Sequence, residues 1–209
     1  PYGSYVMENV LFKISFPAEF HAQTAVEAAV TLHPQIIDRL DEISKIVLST
    51  HESAIRIISK TGVLNNPADR DHCLQYMTAI GLLKGNLVAE DYEANVASDP
   101  RVDVLRELMS VEEDERYSRE YHETDKRSIA NAIQIHFKDG STTEKVEVEY
   151  PIGHKFRRAE GMPLLQEKFK ENLAVRFPAN QVKAVLQMCN DSEAFDNTPV
   201  QDFMDALVI

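Results

Sequence analysis

Three groups of residues in this 209-residue sequence combine cations, imidazoles and phenols at spacings that could support chemistry. The first is Lys13 with His21, which bracket Phe16-Pro17. The second is Asp69-Arg70-Asp71-His72 with Tyr76, one helical turn beyond His72 and so on the same face of an expected helix. The third is the run His154-Lys155-Phe156-Arg157-Arg158. Lys and Arg give charge-assisted hydrogen bonds to carboxylates or phosphates. His and Tyr are the usual proton carriers in acid–base catalysis. Taken together, these residues describe a site for a small anion with acid–base chemistry. Each group also has a plain structural reading. Lys13 and Phe16-Pro17 could end a strand, His72 could bond to backbone at a helix start, and Arg70 could pair with Asp69 or Asp71. Tyr76 on an apolar helix face belongs to a core by default, and the basic run could be a solvated turn.

Other chemistries are excluded. His33, His51, His122 and His136 show no HExxH-type spacing, so no metal site is expected and none of the four is given a role. Cys73 and Cys189 are too few and too far apart for a disulfide framework, a zinc pair or a cysteine-held iron–sulfur cluster, which fits a reducing compartment. There is no GxGxxG, GxxxxGK[ST] or GxSxG motif. The net charge of -12 removes the attraction that nucleic acids and anionic membranes exert on their binders, so neither is expected as a partner. No run approaches the apolar length of a membrane span, and the first residues carry neither a basic nor an arginine-rich targeting pattern. With 44% apolar residues and only 7 Gly, the chain has the composition of one large or two small folded domains. Its start at Pro1 fits either methionine excision or a segment of something longer.

The elements that must position these residues follow from periodicity. The stretch ENVLFKISFP reads as a short strand or extended arm, and residues 19–32 as a helix stopped at His33-Pro34. Residues 43–49, ISKIVLS, read as a strand. GVLNNPADRD is a turn in which Asp69 or Asp71 caps a helix over 70–84, closed by Gly85. Helices follow over 89–96 and 101–109. The acidic stretch 112–125 reads as an exposed connection with a short strand near Tyr117 to Tyr121. Alternation over 129–137 and 146–150, with Asp139-Gly140 between, predicts an antiparallel hairpin. From Met162 onward the pattern is helical, with Pro178 at a helix start. The shift near residue 153 predicts an α+β unit followed by helices that need a partner surface.

The stretches YGSYVMENVLFKISFPAEFHAQTAVEAA, NNPADRDHCLQYM and VEYPIGHKFRR resemble the MmgE/PrpD family, and the resemblance covers essentially all 209 residues. It implies an α+β fold: a linker over 1–11, a lid domain over 12–153 with helices packed on a small antiparallel sheet, and an all-helical segment over 154–209. That segment would complete a helical domain whose other part is an N-terminal half. The implied activity is a hydro-lyase reaction, the dehydration of 2-methylcitrate to 2-methyl-cis-aconitate in the methylcitrate cycle of propionate breakdown, with no cofactor. By position, His21 and Tyr76 resemble the family's catalytic lid residues, with Lys13, Arg70 and His72 holding substrate carboxylates. Glu19 and His21 compete for one of these positions, and the His-Ala helix start favours His21. Implied partners are a tricarboxylate substrate, the N-terminal half and a second subunit in a homodimer. Localisation would be the mitochondrial matrix in a fungus, preferred here from STHESAIRIISK and DHCLQYMTAIG, or the cytoplasm in a bacterium. The alternative is a non-catalytic tricarboxylate-binding or subunit-interaction module.

Overall fold

A computed structural model describes residues 9–208 of the protein, and these fall into two compact units that divide between Arg157 and Arg158. The entry segment expected at 1–11 lies mostly outside the described residues. Residues 10–19 form no strand.

The first unit is α+β. A 3-10 turn, Phe20–Ala22, leads into α1 (Gln23–Ile36), and a second 3-10 segment, Ile37–Glu42, delivers the chain to β1 (Ile43–Thr50). Helix α1 runs through Pro34 instead of stopping there. The proline removes only one bond of the last turn, while Leu32 and Ile36, four residues apart, are both fully buried and carry the core face past it. After β1 come α2 (Glu52–Ile58), the single turn α3 (Pro67–Arg70) and α4 (Leu74–Lys84). The helix expected over 70–84 is thus broken. Asn66 caps α3 by accepting from the Asp69 N–H at 3.0 Å, and the Asp69 carboxylate instead accepts from Asn65 N–H at 3.0 Å. Cys73 then turns extended before α4 begins, and Gly85 closes α4 at φ 66. As a result His72 is outside the helix that carries Tyr76, and the shared face read from their spacing does not form.

A 3-10 turn, Ala89–Tyr92, precedes α5 (Ala94–Ala97) and α6 (Pro100–Glu107). Strand β2 (Met109–Glu113) and α7 (Glu115–His122) occupy the acidic stretch read as a connection. The strand expected near Tyr117 to Tyr121 is helix. Asp114 caps it by accepting from Arg116 N–H at 2.9 Å, and Tyr117 and Glu120, three apart, turn the same way into the protein. The hairpin is β3 (Asn131–Phe137) with β4 (Val146–Val148). The sheet order is β2-β1-β3-β4. It is mixed, not wholly antiparallel, because β2 pairs with β1 in parallel. Acidic residues are at home on such an edge strand, which is why β2 carries little hydrophobic pattern. Helix α1 lies over the sheet and against α4, burying Ala25, Val26, Ala29 and Leu32 completely.

Gly153 ends the hairpin segment at φ 103, where a Cβ would sit 2.0 Å from the Phe12 carbonyl oxygen. Both the backbone region and the close approach exclude a side chain. Gly153→Ala is expected to cost about 2 kcal/mol of stability, read from the shift of the urea midpoint. A midpoint within the scatter of the parent would contradict this account of the turn.

The second unit contains α8 (Arg158–Ala174), α9 (Ala179–Asn190), α10 (Ser192–Asn197) and α11 (Val200–Asp205). Its own core is small, centred on Leu173, Val182 and Val185, with Phe169, Phe177 and Leu186 packed against them. Val175 and Val200 stand 87% and 79% exposed. Pro178 caps α9 as its position predicts.

Candidate functional site

The side chains that meet in a polar cluster are Glu19, His21, His51 and Tyr121, drawn from three separate parts of the first unit. Glu19 caps the 3-10 turn by accepting from His21 N–H at 2.8 Å, and the same carboxylate lies 2.8 Å from the ring nitrogen Nδ1. A carboxylate accepts only, so Nδ1 carries a proton, and in the neutral ring Nε2 presents the lone pair. Nε2 lies 3.2 Å from the Tyr121 hydroxyl, which donates to it. This is the arrangement in which a carboxylate fixes the tautomer and aim of an imidazole base.

The backbone beneath it is fixed by buried side chains. Asn131, at the start of β3, donates to the His21 carbonyl and to Thr24 Oγ1, each at 2.7 Å. Gln23 donates to the carbonyls of Phe16 and Ala18, both at 2.8 Å, and the Tyr92 hydroxyl donates to the Pro17 carbonyl at 2.9 Å. The loop that presents Glu19 is therefore held from two sides.

Sheet topology brings the remaining members in. His51 follows β1 directly, and β2, parallel to β1, delivers α7 at the same end: Asp114 N–H bonds to the Thr50 carbonyl at 2.8 Å, and Glu52 N–H to Ser118 Oγ at 2.8 Å. Tyr121 on α7 thus stacks on His51 with ring centroids 4.6 Å apart, and His51 lies 5.2 Å from the His21 ring. His51 is fully buried. Its Nδ1 accepts from Ala54 N–H at 3.4 Å as the cap of α2, which puts the ring proton on Nε2, and that atom has no partner among the described residues. Burial foremost, and then the neighbouring His21, push His51 down to about 4, so it is neutral near pH 7. For Glu19, burial acts to raise its pKa, but the hydrogen bonds and charge of His21, with a further contribution from His72, outweigh it. The net shift is downward and the carboxylate stays ionised.

Of the residues singled out in the sequence, His21 is a member of this cluster, while Lys13 and His72 are linked to it less directly. Lys13 Nζ sits 5.0 Å above the ring of Phe20, next to His21. His72 is half-exposed and bonded through Nδ1 to Asp71 Oδ1 at 2.6 Å. Arg70 and Tyr76 are elsewhere. Tyr76 is buried, its hydroxyl donates to the Asp91 carbonyl at 2.5 Å, and burial pushes its pKa up to about 12. Arg70 is buried and donates through Nη1 to the Tyr92 carbonyl at 2.5 Å. Neither touches His21, although both reach its loop through Tyr92. Arg70 holds the Tyr92 carbonyl, Tyr76 stacks on the Tyr92 ring at 6.1 Å, and Tyr92 holds Pro17. The basic run has a structural task. Arg157 forms a two-armed pair with Glu27, at 3.0 and 2.8 Å, and donates to the Tyr150 carbonyl at 2.6 Å, while His154 is buried against Tyr150.

His51 and Tyr121 carried no signal by spacing, since they stand 30 and 100 residues from His21. A histidine ending a β-branched strand before Glu-Ser-Ala was the one available hint, as a helix cap.

Residues 16–192 match the family described as the MmgE/PrpD C-terminal domain. A 2-methylcitrate dehydratase of Escherichia coli (strain K12) is 56% identical over 212 residues, covering 100% of this chain and 44% of that protein. A mitochondrial 2-methylcitrate dehydratase of Yarrowia lipolytica is 54% identical over 211 residues, with 100% of this chain and 40% of that protein covered. A probable 2-methylcitrate dehydratase of Saccharomyces cerevisiae is 50% identical over 98% of this chain and 40% of its own length. The chain therefore spans less than half the length of these relatives.

Proposed function

Because this chain belongs to the MmgE/PrpD family, whose C-terminal domain it matches over residues 16–192, we propose that it works as the C-terminal part of a 2-methylcitrate dehydratase, together with an N-terminal half of the kind its relatives carry. The observation that carries this reading is the Glu19–His21–Tyr121 arrangement, with Glu19 at 2.8 Å and Tyr121 at 3.2 Å from the two ring nitrogens. The names of the relatives support the substrate.

Dehydration breaks a C–H bond alpha to a carboxylate and a C–O bond to the neighbouring hydroxyl, forms a C=C bond and releases water. His21 Nε2 takes the proton, and Glu19 stabilises the imidazolium that results. The hydroxyl leaves as water after receiving a proton, for which Tyr121 is the phenol at hand. Lys13 and His72 hold carboxylates of the substrate. Arg70 and Tyr76 act as positioning residues through Tyr92 and the loop before Glu19. The exposed apolar side chains of the helical unit, Val175 and Val200 among them, support its docking on the N-terminal half, and the enzyme is proposed to be a homodimer. Localisation follows the source: the name of the Yarrowia relative places that protein in mitochondria, and a bacterial member would be cytoplasmic.

The test is to follow the conjugated product by ultraviolet absorbance when 2-methylcitrate is added to this chain joined to such a half. Turnover is expected only in the joined protein, and robust turnover by the 209-residue chain alone would contradict the shared site. The two tyrosines separate roles within it. Tyr121→Phe should lower kcat about 10- to 100-fold with unchanged thermal stability. Tyr76→Phe should instead cost about 1 kcal/mol of stability, because the Asp91 carbonyl loses its buried donor.

A further inference from the structure

The aim of the Tyr121 hydroxyl at His21 Nε2, 3.2 Å away, depends on how α7 is seated on the sheet. The bonds at Thr50 and Glu52 fix where the helix starts. A second anchor lies four residues before Tyr121. Tyr117 is fully buried, packs with Ala130 and Ala132, and donates through its hydroxyl to Glu147 of β4 at 2.6 Å. The same carboxylate accepts from Arg116 Nη2 at 2.6 Å, so it grips two successive residues of α7. Residues four apart share a helix face, so holding Tyr117 sets the direction in which Tyr121 projects.

The other end of this link leads back to His21. Glu147 stands opposite Ala132 in the β3–β4 ladder, and Asn131, next to Ala132, donates to the His21 carbonyl at 2.7 Å. Successive side chains of a strand point to opposite faces. One short length of β3 therefore carries α7 on one side and the His21 loop on the other, and the two groups that must meet are measured from the same backbone. An exposed ion pair such as Arg116–Glu147 contributes little by itself. The Tyr117 bond differs, because its donor is in the interior and is left unpaired if the carboxylate is removed. Burial acts to raise the Glu147 pKa, but the bonds from Arg116 and Tyr117 outweigh it and keep the carboxylate ionised. Burial foremost, and then the bond to Glu147, push the Tyr117 pKa above its ordinary value, so the phenol remains the donor.

We propose that Glu147 is a positioning residue for the proton transfer: acting through the Tyr117 hydroxyl and Arg116, it seats α7 on β3 and β4 so that the Tyr121 hydroxyl meets His21 Nε2. The effect on rate rests on the dehydratase reading, whereas the alignment belongs to the 209-residue chain itself.

The experiment is a double-mutant cycle with two readouts. In the joined enzyme, Glu147→Ala and Tyr117→Phe should each lower kcat about five- to tenfold with little change in KM, while Glu147→Gln, whose amide oxygen still accepts from Tyr117, should recover most of the rate. Combined with Tyr121→Phe, neither should slow the reaction further, because the group they aim is gone. A role in general folding would instead give losses that multiply. The second readout is the nitrogen NMR shift of His21 Nε2 in the 209-residue chain under alkaline conditions, which reports the hydrogen bond donated to that atom without any substrate. Tyr117→Phe and Glu147→Ala should move it in the same direction as Tyr121→Phe does. Parent-like kcat in both variants beside a slow Tyr121→Phe form, or losses that multiply in the double variants, would overturn the proposal and leave the dehydratase reading standing. A joined parent that makes no product would instead remove that reading, and the alignment would still be judged by the nitrogen shift. A shift moved by Tyr121→Phe and by neither of the other two variants would overturn it.

Discussion

In the joined enzyme, replacing His21 with alanine should lower kcat for 2-methylcitrate dehydration about 10³-fold, the contribution a positioned general base makes. KM should change little, because the cations assigned to the substrate carboxylates, Lys13 and His72, are untouched. Folding should also survive. The His21 backbone, not its ring, holds the loop, through Asn131 on its carbonyl and Glu19 on its N–H. Glu19→Gln separates orientation from charge. The amide can still accept from the Nδ1–H but no longer stabilises an imidazolium, so a smaller loss is expected, about 10- to 100-fold. Steady-state kinetics across pH, with circular dichroism as a check on folding, reads both variants. Losses of less than about threefold in His21→Ala would remove the ring from the reaction.

The second large effect is on stability in mild acid. His51 is fully buried and neutral, with a folded-state pKa near 4 against an ordinary 6.5. The sign follows from proton binding. Between these values the unfolded chain holds a proton at His51 that the folded chain does not, so stability rises with pH through the window and is complete above the upper value. Acidification therefore costs the fold up to about 3 kcal/mol from this residue alone, of which about 2 kcal/mol appears between about pH 7 and pH 5. Glu19 works in a lower window. Its depressed pKa contributes stability that is present above the ordinary carboxyl value and lost as pH falls through the folded value. His51→Asn keeps an acceptor at the cap of α2 for the Ala54 N–H while removing the titrating ring. Urea unfolding at the two pH values should show the parent losing about 2 kcal/mol more than this variant on acidification. Equal losses in both would mean that His51 is protonated in the folded protein.

The sequence carried more of the fold than of the site, for a physical reason. Periodicity is a local property, so α1, β1 and the β3–β4 hairpin could be read from residues that repeat on one face. β2 could not, because an edge strand of Met-Ser-Val-Glu-Glu has one face to the solvent and little apolar alternation to report. Nor could the break at Asp71-His72-Cys73, where a single extended residue separates two helical turns that continue one apolar pattern. That break cost the pairing of His72 with Tyr76, which depended on an unbroken helix. Lys13, Glu19 and His21 were within reach of reading because they lie in one loop. His51 and Tyr121 join them only because β1 and β2 run parallel and end together, a fact about the sheet that no residue states by itself. Arg70 and Tyr76 were recognisable as unusual residues, yet their bonds to Tyr92 and Asp91 direct them away from His21.

The claim on which the function depends is that His21 itself carries the proton, and chemical rescue tests it most directly. The measurement is the rate of 2-methyl-cis-aconitate formation by the His21→Ala form of the joined enzyme as imidazole is titrated in, with Tyr76→Phe carried through the same titration. The account predicts that imidazole restores part of the lost kcat in the His21 variant, saturably and in step with the fraction of free base as pH is raised, and leaves the Tyr76 variant unchanged. Activity of His21→Ala that is near that of the parent without imidazole, or a loss that no concentration of imidazole recovers while the variant remains folded and binds substrate, would contradict it.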